Sequence, residues 1–275
     1  SNGVWQTAVV DTSPSVGLDN DIALDSKGKV HISHWQWNGG FIKHSTNESG
    51  VWVNEQLDSA YWDQTSIALD TNDKVHIAYG GSGSLYHLTN SSGRWEKTLI
   101  DNKLNSPVLR IGSDGIIRIA GMNYLYPNIY YSTNQGGKWE TITIPTINSA
   151  HTQGGSKLSM ALTPNNEAVI VYTIEGTTYH LLGKLCLTTN IGGHWKTILL
   201  DDKANYINPS VAVDRTGKIH ISVIHGEKNG SEIDNTTPRY ITFDPAFIGA
   251  SSPISKTASL PIVTARILGA VVRGL

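Results

Sequence analysis

Short alternations of apolar and polar residues run along the chain, and helical spacing of apolar positions is absent from residues 1–245. The stretch DIALDSKGKVHIS (21–33) shows the pattern: an apolar strand, a turn containing glycine, and a second, alternating strand. A third strand (41–46), another turn and a fourth strand (51–57) follow. The pattern therefore predicts a unit of four short strands joined by turns.

This four-strand unit recurs along the whole of residues 1–245. One position on its second strand marks each copy, at His31, His76, Arg118, Val169 and His220. These marks are roughly 40 to 50 residues apart, a period typical of propellers and other repeat arrays. A four-stranded unit cannot bury both faces by itself, so we expect the units to stack around an axis.

Five first strands are present, but the last unit ends with its third strand, RYITFD (239–244). An unmatched fourth strand, VWQTAVVD (4–11), opens the chain. Pairing the two would remove two exposed sheet edges. The sequence therefore predicts an all-β fold: a five-bladed β-propeller of four-stranded blades, with the N-terminal strand completing the last blade. The alternative is a slice of a longer array.

The expected propeller spans residues 1–245, and a tail spans 246–275. The blades are predicted at about 17–58, 65–101, 106–145, 156–201 and 207–244, with 3–11 added to the last. The tail opens with a linker of Pro, Ser and Thr and ends in an apolar stretch shorter than the ~18 residues that cross a bilayer, so no membrane span is predicted. Docking on the propeller is our first expectation for the tail. Self-association or contact with a neighbouring domain is the second.

Charge and cysteine content narrow the function. Charged residues make up 16% of the chain, the net charge is −2, and no basic stripe alternates with aromatic residues, which argues against nucleic acid as a partner. The single Cys186 lies in an apolar strand and offers neither a disulfide framework nor a metal cluster. Turns rich in Asn, Gly, Ser and Thr favour an extracellular or cell-surface protein, although the chain carries no visible signal peptide.

The turns between third and fourth strands share a motif. Its copies are STNESGVW (45–52), LTNSSGRW (88–95), STNQGGKW (132–139) and TTNIGGHW (188–195). They resemble the Asp-box, or BNR repeat, of sialidase-like propellers, whose pattern is Ser, any residue, Asp, any residue, Gly, two of any and Trp. Here Asn replaces Asp, and the copies at 45 and 88 place Gly one position later. The resemblance implies a propeller scaffold, with the box on the face opposite the usual binding site.

The same resemblance does not extend to sialidase chemistry. Sialidases use three clustered arginines, a Tyr nucleophile with a Glu partner, and an Asp acid, whereas Arg110 is the one arginine on a first strand here. The chain is therefore predicted to be a non-catalytic member of the superfamily, with no catalytic residues.

Aromatic residues that break the repeat are the candidates for ligand contact. Three tryptophans lie outside the box motif and fall in or beside loops expected on one face. Aromatic rings beside Asp, Asn and His suit a sugar, and a cluster of exposed rings suggests a ligand. The alternative is that the tryptophans pack over one another between blades 1 and 2. The predicted ligand-binding residues are Trp35, Trp37, Tyr61, Trp62, Asp63, Tyr79, Arg110 and Tyr206.

Arg110 replaces an alanine that the other four first strands share. A guanidinium at this place would bind an anionic ligand group or, equally, pair with Asp21 or Asp63. A glycoside hydrolase would need two carboxylates near the axis, and Asp19 or Asp21 could join Asp63. The third blade offers no carboxylate at this place, so the set is incomplete.

Histidines recur on three second strands, at His31, His76 and His220. Three converging imidazoles could hold a metal, but a hydrogen-bonding role between blades is the better interpretation. No metal and no cofactor are predicted. The sequence favours a lectin-like, non-catalytic module of a secreted or surface protein with a glycan as its partner. The alternatives are a glycoside hydrolase using axial carboxylates and a protein-interaction or structural propeller of a larger extracellular protein.

Overall fold

The computed structural model of the protein describes residues 5–60, 64–81, 83–122, 128–144, 158–175, 183–229 and 232–249. Within them lie eighteen β-strands, all paired antiparallel, a 3-10 turn (Gln135–Gly137) and one short helix, α1 (Ala246–Gly249). The predicted all-β class is confirmed. The chain divides into two compact units, Ser1–Gly154 and Gly155–Leu275.

The first unit contains three four-stranded sheets, each with its strands in chain order. Sheet 1 holds β1 (Leu18–Leu24), β2 (Val30–Gln36), β3 (Phe41–Thr46) and β4 (Val53–Ser59). Sheet 2 holds β5 (Thr65–Leu69), β6 (Val75–Gly81), β7 (Ser84–Thr89) and β8 (Glu96–Asp101). Sheet 3 holds β9 (Asn105–Ile111), β10 (Ile117–Met122), β11 (Ile129–Thr133) and β12 (Glu140–Ile144). The repeated four-strand unit is thus present three times.

The second unit contains one six-stranded sheet in chain order. Its strands are β13 (Leu158–Leu162), β14 (Ala168–Glu175), β15 (Gly183–Thr189), β16 (Lys196–Val213), β17 (Ile219–Asn229) and β18 (Glu232–Phe243). The long β16 pairs with β15 through its first half and with β17 through its second. The predicted fourth and fifth units therefore share one continuous strand, where the sequence predicts a break near residues 201–207.

Each first strand turns into the second through the same short hairpin. In sheet 1 the Asp25 carboxylate accepts hydrogen bonds from the backbone N–H of Lys27 (2.9 Å) and Lys29 (2.7 Å). Gly28 has a φ of 73°, the left-handed conformation that closes such a turn. The same backbone conformation recurs at Asp73, Gly115, Asn166 and Gly217. The repeat in sequence is therefore also a repeat in turn geometry.

The turns between third and fourth strands are tied back to the second strand by an asparagine. The Asn47 Oδ1 accepts a hydrogen bond from the Val30 N–H at 2.8 Å. The same bond joins Asn90 to Val75 (2.8 Å), Asn134 to Ile117 (2.8 Å) and Asn190 to Ala168 (2.7 Å). Equivalent left-handed glycines close the turns at Gly50, Gly93, Gly137 and Gly193. In all four copies this glycine stands at the later of the two positions.

Hydrophobic core forms where the face of one sheet packs on the next. Between sheets 1 and 2, Trp35 and Ile42 pack with Ile67 and Ile77, all at most 3% exposed. Similar clusters join sheet 2 to sheet 3 and, in the second unit, β14 and β15 to β16 and β17. Removal of this apolar surface from water is the main stabilising contribution, at about 25 cal/mol per Å².

Hydrogen bonds also join the first strands of successive four-strand repeats within each compact unit. Asp21 accepts a hydrogen bond from the Ile67 N–H at 3.0 Å. At the same repeat position, Ser66 accepts from the Leu109 N–H at 3.0 Å. In the second unit, Ser159 accepts from the Val211 N–H at 3.2 Å. A short polar side chain at this position therefore accepts a hydrogen bond from a backbone N–H of the following repeat.

The prediction of an N-terminal strand that completes the last blade is wrong for the described residues, since 5–12 form no strand and β18 pairs with β17 there. Instead, the Val10 carbonyl accepts a hydrogen bond from Asn54 Nδ2 at 3.0 Å. Asp11 binds the ammonium group of Lys43 and the Ser13 N–H. These polar contacts hold the segment on sheet 1.

The tail begins by packing on the second unit. Ile248 of α1 is 4% exposed within the core of that unit, and its carbonyl accepts a hydrogen bond from Lys196 Nζ at 2.9 Å. The remainder of the predicted tail, 250–275, lies outside the described residues. In the part of the chain that the structure describes, no helix is long and apolar enough to cross a membrane.

Candidate ligand-binding site

Two tryptophans at the end of β2 have different environments. Trp35 is 3% exposed, and its Nε1–H donates a hydrogen bond to the Ala60 carbonyl at 2.9 Å. Trp37 is 49% exposed and meets Trp35 edge-on, with ring centroids 5.5 Å apart and planes at 67°. Trp35 is therefore a buried support, and Trp37 presents its indole to solvent.

The loop that carries Trp37 is anchored at several points. The Trp37 N–H donates to the Ser15 carbonyl at 2.9 Å, and the Gly40 N–H donates to the Trp37 carbonyl at 3.3 Å. The Ala60 N–H donates to the Gly40 carbonyl at 2.7 Å. Gly39 has a φ of 107°, and a Cβ there would lie 2.3 Å from a neighbouring aromatic ring. A side chain at position 39 would strain this backbone conformation, so glycine favours the observed shape of the loop.

Three of the predicted residues, Tyr61, Trp62 and Asp63, lie outside the described residues. The residue before them, Ala60, is 6% exposed and hydrogen-bonded to both Trp35 and Gly40. The chain thus enters this segment directly beside the Trp37 loop.

Tyr79 is fully buried and joins sheet 1 to sheet 2. Its hydroxyl donates a hydrogen bond to the Asp58 carboxylate, which also binds the Lys97 ammonium. Burial raises the pKa of Tyr79 well above its usual value, and the bond to Asp58 adds to this effect. The Lys97 Nζ lies 4.2 Å from the centroid of the Tyr86 ring. Tyr79 is therefore a structural contact in this structure rather than an exposed ring.

Arg110 lies on β9 and is half-buried. Its Nη1 donates a hydrogen bond to the Leu109 carbonyl at 2.7 Å. Burial lowers the pKa of Arg110, and the negative charge of Asp21 acts in the opposite direction. The Asp21 carboxylate is itself bonded to Ser66 Oγ (2.8 Å) and to the Ile67 N–H. Asp21 is therefore an electrostatic neighbour of Arg110, while one of its carboxylate oxygens accepts hydrogen bonds from sheet 2.

Tyr206 lies in the second unit and is 3% exposed. Its hydroxyl donates to Asp201 at 2.8 Å, and its ring meets His225 edge-on at 5.7 Å. Burial raises the pKa of Tyr206, and the bond to Asp201 raises it further. Of the five described candidates, Trp37 is thus the one whose aromatic ring is open to solvent.

The repeated histidines form hydrogen bonds, as expected, but within a sheet. His31 Nδ1 and His44 Nε2 are 3.0 Å apart with their rings stacked, and His76 and His87 repeat this arrangement at the same distance. In the second unit, His220 bonds to the Tyr240 hydroxyl at 2.6 Å. Among the described residues, no group of three or more His, Cys, Asp or Glu side chains could hold a metal.

His44 and His87 are structural residues that the repeat analysis missed. Both lie on third strands, just before the box motif, and this shared position is the sequence signal that identifies them. Burial lowers the pKa of His44 to about 4 and that of His87 to about 3. At neutral pH both imidazoles are therefore uncharged.

No protein-family model matches the chain, and no curated protein matches it. Solved structures do match. The polysaccharide lyase Uly1 aligns at 9% identity over 92% of this chain and 74% of its own, with a TM-score of 0.57. The SapL1 lectin, solved with α-methyl fucoside, aligns at 10% identity over 82% of this chain and 78% of its own (TM-score 0.54).

The α-L-arabinanase of Penicillium chrysogenum, solved with arabinobiose, aligns at 10% identity over 82% of this chain and 81% of its own (TM-score 0.53). At such low identity the likeness concerns the fold alone. These matching structures are β-propellers, so the likeness supports a fold of that class.

Proposed function

We propose that the protein is a non-catalytic, lectin-like β-propeller module that binds carbohydrate at the Trp37 loop. The observation that supports this most is the pairing of an exposed indole with a buried one. Trp37 is 49% exposed, yet it rests on Trp35 and on a loop held by backbone hydrogen bonds. An aromatic plane kept rigid before the ligand arrives loses little entropy on binding.

A sugar ring suits such a plane because its axial C–H groups stack on the indole while its hydroxyls reach nearby polar groups. We propose that Tyr61, Trp62 and Asp63, which follow Ala60, supply the remaining contacts. Trp35 and Tyr79 act as supports, and Tyr206 belongs to the core of the second unit. Arg110 remains a candidate contact for an anionic group. A millimolar site yields only about −4 kcal/mol, so several sites acting together would be needed for firm binding.

The proposal is tested by a glycan array probed with a tagged multimer of the protein. Trp37→Ala should abolish the array signal while leaving the thermal unfolding midpoint nearly unchanged, because this indole is exposed. Trp5→Ala is the matched control, since Trp5 is 97% exposed and lies far from β2 in sequence. An array without signal, or a signal that survives Trp37→Ala, would contradict the assignment.

Glycoside hydrolysis is the second candidate function, supported by the arabinanase among the matching structures. The environments of Asp21 and Asp19 argue against this second candidate. Both oxygens of Asp21 accept backbone hydrogen bonds, one from Ile22 and one from Ile67. Asp19 is exposed and has a left-handed φ of 45°. Chromogenic arabinosides and related glycosides should remain intact with the binding module, and their hydrolysis, lost in Asp19→Asn, would favour the enzyme.

Three finer features belong to the same proposal. We propose that the turns ending at Trp52, Trp95, Trp139 and Trp195 are Asp-box (BNR) repeats, because their asparagine bonds and glycine conformations agree in all four copies. We propose five blades, one for each repeat, in an extracellular or cell-surface protein. A protein-interaction propeller, the remaining alternative, would capture a partner whose binding is insensitive to competing sugars.

A further inference from the structure

The box turn of sheet 2, between β7 and β8, carries a serine where two other box turns carry a glycine. In the copies at 132 and 188, the second residue after the asparagine is a glycine with a left-handed backbone: Gly136 (φ 74°) and Gly192 (φ 81°). In sheet 2 Ser92 takes this place without a left-handed backbone, and the left-handed glycine of the turn, Gly93 (φ 88°), follows it. Residues 90–92 therefore read Asn-X-Ser, the acceptor sequence for N-linked glycosylation.

The side-chain amide of Asn90 uses its oxygen within the fold and leaves its nitrogen open. Oδ1 accepts the hydrogen bond from the Val75 N–H at 2.8 Å, which fixes the orientation of the amide. Among the residues that the structure describes, none accepts a hydrogen bond from Asn90 Nδ2. N-linked glycosylation attaches the sugar to this nitrogen and leaves the carbonyl oxygen in place. The fold can therefore keep its bond to Val75 and carry a glycan on the same side chain.

The turn that carries Asn90 is open to solvent. Asn90 is half-buried, and the four residues after it, 91–94, are exposed. Sheet 2 packs on sheet 1 through one hydrophobic cluster and on sheet 3 through another, and all three sheets belong to the first compact unit. The turn is thus exposed although both neighbouring sheets are in place. A bulky, hydrated glycan suits such a position.

Asn90 lies at the end of sheet 2 that is distant from the Trp37 loop. The near end is marked by Gly81, because a Cβ there would lie 3.5 Å from the Cβ of Ala60, the residue beside that loop. The strand β7 (Ser84–Thr89) runs from this end to the box turn. Its residues rise by about 3.3 Å each, so the two ends are about 20 Å apart. A glycan on Asn90 would therefore leave the Trp37 loop accessible.

We propose that Asn90 is an N-glycosylation site. In the reaction, Nδ2 attacks the anomeric carbon of an oligosaccharide carried on a polyprenyl pyrophosphate. A C–N bond forms, the C–O bond to the pyrophosphate breaks, and the amide loses one proton. Ser92 supplies the hydroxyl that the acceptor sequence requires. This inference rests on the extracellular or cell-surface location proposed above, but it does not depend on carbohydrate binding at the Trp37 loop.

Site-specific mass spectrometry tests the proposal on the full chain, directed into the secretory pathway of cultured human cells by an added leader peptide. Treatment with peptide-N-glycosidase in heavy-oxygen water converts each glycosylated asparagine into a labelled aspartate. The peptide that contains Asn90 should carry the label in most molecules. Protein kept inside the cells is digested in the same way, because the transfer precedes secretion. The peptide map reads Asn90 separately from the other Asn-X-Ser/Thr sequences, which begin at 47, 229 and 235.

Three variants connect the label to the acceptor sequence. Ser92→Ala removes the hydroxyl but keeps Asn90 and its bond to Val75, so the label should disappear while the urea midpoint stays nearly unchanged, because Ser92 is exposed. Ser92→Thr keeps a hydroxyl and should keep the label. Ser91→Ala is the matched control, since the middle position accepts any residue except proline.

The leader peptide sets the compartment, so the outcome tests Asn90 itself rather than the proposed location of the protein. A wild-type chain without label at Asn90, or a label that persists in Ser92→Ala, would overturn the glycosylation site. Either result would leave the proposed carbohydrate binding at the Trp37 loop untouched, because that function is read by the glycan array.

Discussion

Trp95 of sheet 2 lies edge-on against His44 of sheet 1, with ring centroids 5.4 Å apart. Trp139 of sheet 3 makes the same contact with His87 of sheet 2, at 5.3 Å. Each of these histidines is stacked on a second histidine of its own sheet. Burial lowers the pKa of all four histidines in these two pairs, which favours their uncharged forms.

The first prediction is a loss of stability on acidification. Burial lowers the pKa of His44 to about 4 and that of His87 to about 3, from an ordinary value of 6.5. Below pH 6.5 the unfolded chain therefore binds protons that the folded chain does not. The contribution of these histidines to the free energy of unfolding is fully present above pH 6.5. It falls by about 1.4 kcal/mol per pH unit for each histidine until the pH reaches the pKa of that histidine in the folded protein. Urea unfolding at a series of pH values measures this slope.

The chain itself supplies a matched variant for this prediction. At the equivalent positions, the fourth repeat places Val169 and Leu187, a pair without ionisable groups. His76→Val/His87→Leu should therefore unfold with a shallower pH dependence than the wild type. Leu99→Gln, at an exposed position on β8 without an ionisable group, should leave the slope unchanged. Equal slopes in all three proteins would show that the buried pairs do not control acid stability.

A second prediction concerns the ion pair that holds the N-terminal segment. The side chains of Asp11 and Lys43 are 6% and 9% exposed. Burial raises the pKa of Asp11, but its bonds to Lys43 and Ser13 outweigh burial and lower this pKa to about 2. Asp11→Ala leaves the Lys43 ammonium buried without its carboxylate and should cost about 3–5 kcal/mol. Denaturant unfolding measures the loss.

The matched control is Asp11→Ala/Lys43→Met, which removes the stranded charge and should recover most of the lost stability. The stabilisation by Asp11 is present above its ordinary pKa of 3.8 and is lost as the pH falls toward about 2. It therefore disappears in a more acidic range than the histidine effect. A double variant as unstable as Asp11→Ala would argue against a buried ion pair.

The repeated turns could be predicted from the sequence because they are local. In STNQGGKW, the Gly137 N–H donates to the Asn134 carbonyl, and this short turn fixes the left-handed backbone of Gly137 within a few residues. The long β16 could not be predicted, because residues 205–207 continue the strand by pairing with residues 224–226 of β17. The prediction of an N-terminal strand is wrong for a similar reason, because the segment is held by a bond from Lys43 to Asp11, which are 32 positions apart.

In the candidate site, too, the sequence predicts local features but not the contacts between distant residues. The sequence identifies Trp35 and Trp37 as breaks in the repeat, but it does not tell which indole is covered. That depends on the Ala60 carbonyl, which accepts the Trp35 Nε1–H from 25 positions away. Tyr79 is a wrong prediction for the same reason. Its burial depends on the hydrogen bond to Asp58, which the sequence alone does not show.

The third prediction concerns the asparagine of the box motif. Asn90 Oδ1 accepts a hydrogen bond from the N–H of Val75, a residue that is 1% exposed. Asn90→Ala removes the acceptor and leaves a buried donor unsatisfied, at a cost of about 1–3 kcal/mol. Asn90→Asp keeps an acceptor oxygen at the same place and should be much less destabilising. Chemical denaturation of both variants decides the matter, and equal losses would mean that the bond is not the cause.

The fourth prediction concerns the polar link between first strands. Ser66 Oγ donates to Asp21 at 2.8 Å and accepts from the Leu109 N–H at 3.0 Å, so one side chain connects three sheets. Ser66→Ala should cost about 1–3 kcal/mol, because it leaves the Leu109 donor unpaired in a buried place. Ser159→Ala removes a single acceptor at 3.2 Å and should cost less.

A double-mutant cycle separates this link from the local effect of each substitution. Asp21→Asn and Ser66→Ala act on groups that share a hydrogen bond, so their combined effect should differ from the sum of the two by about 0.5–3 kcal/mol. Asp21→Asn paired with Asn90→Ala is the matched control, since the hydrogen bonds of these two residues involve different partners. Strict additivity in the first cycle would mean that the bond between Asp21 and Ser66 does not itself stabilise the fold, and the backbone donors of Ile67 and Leu109 would then be the reason for these two polar side chains.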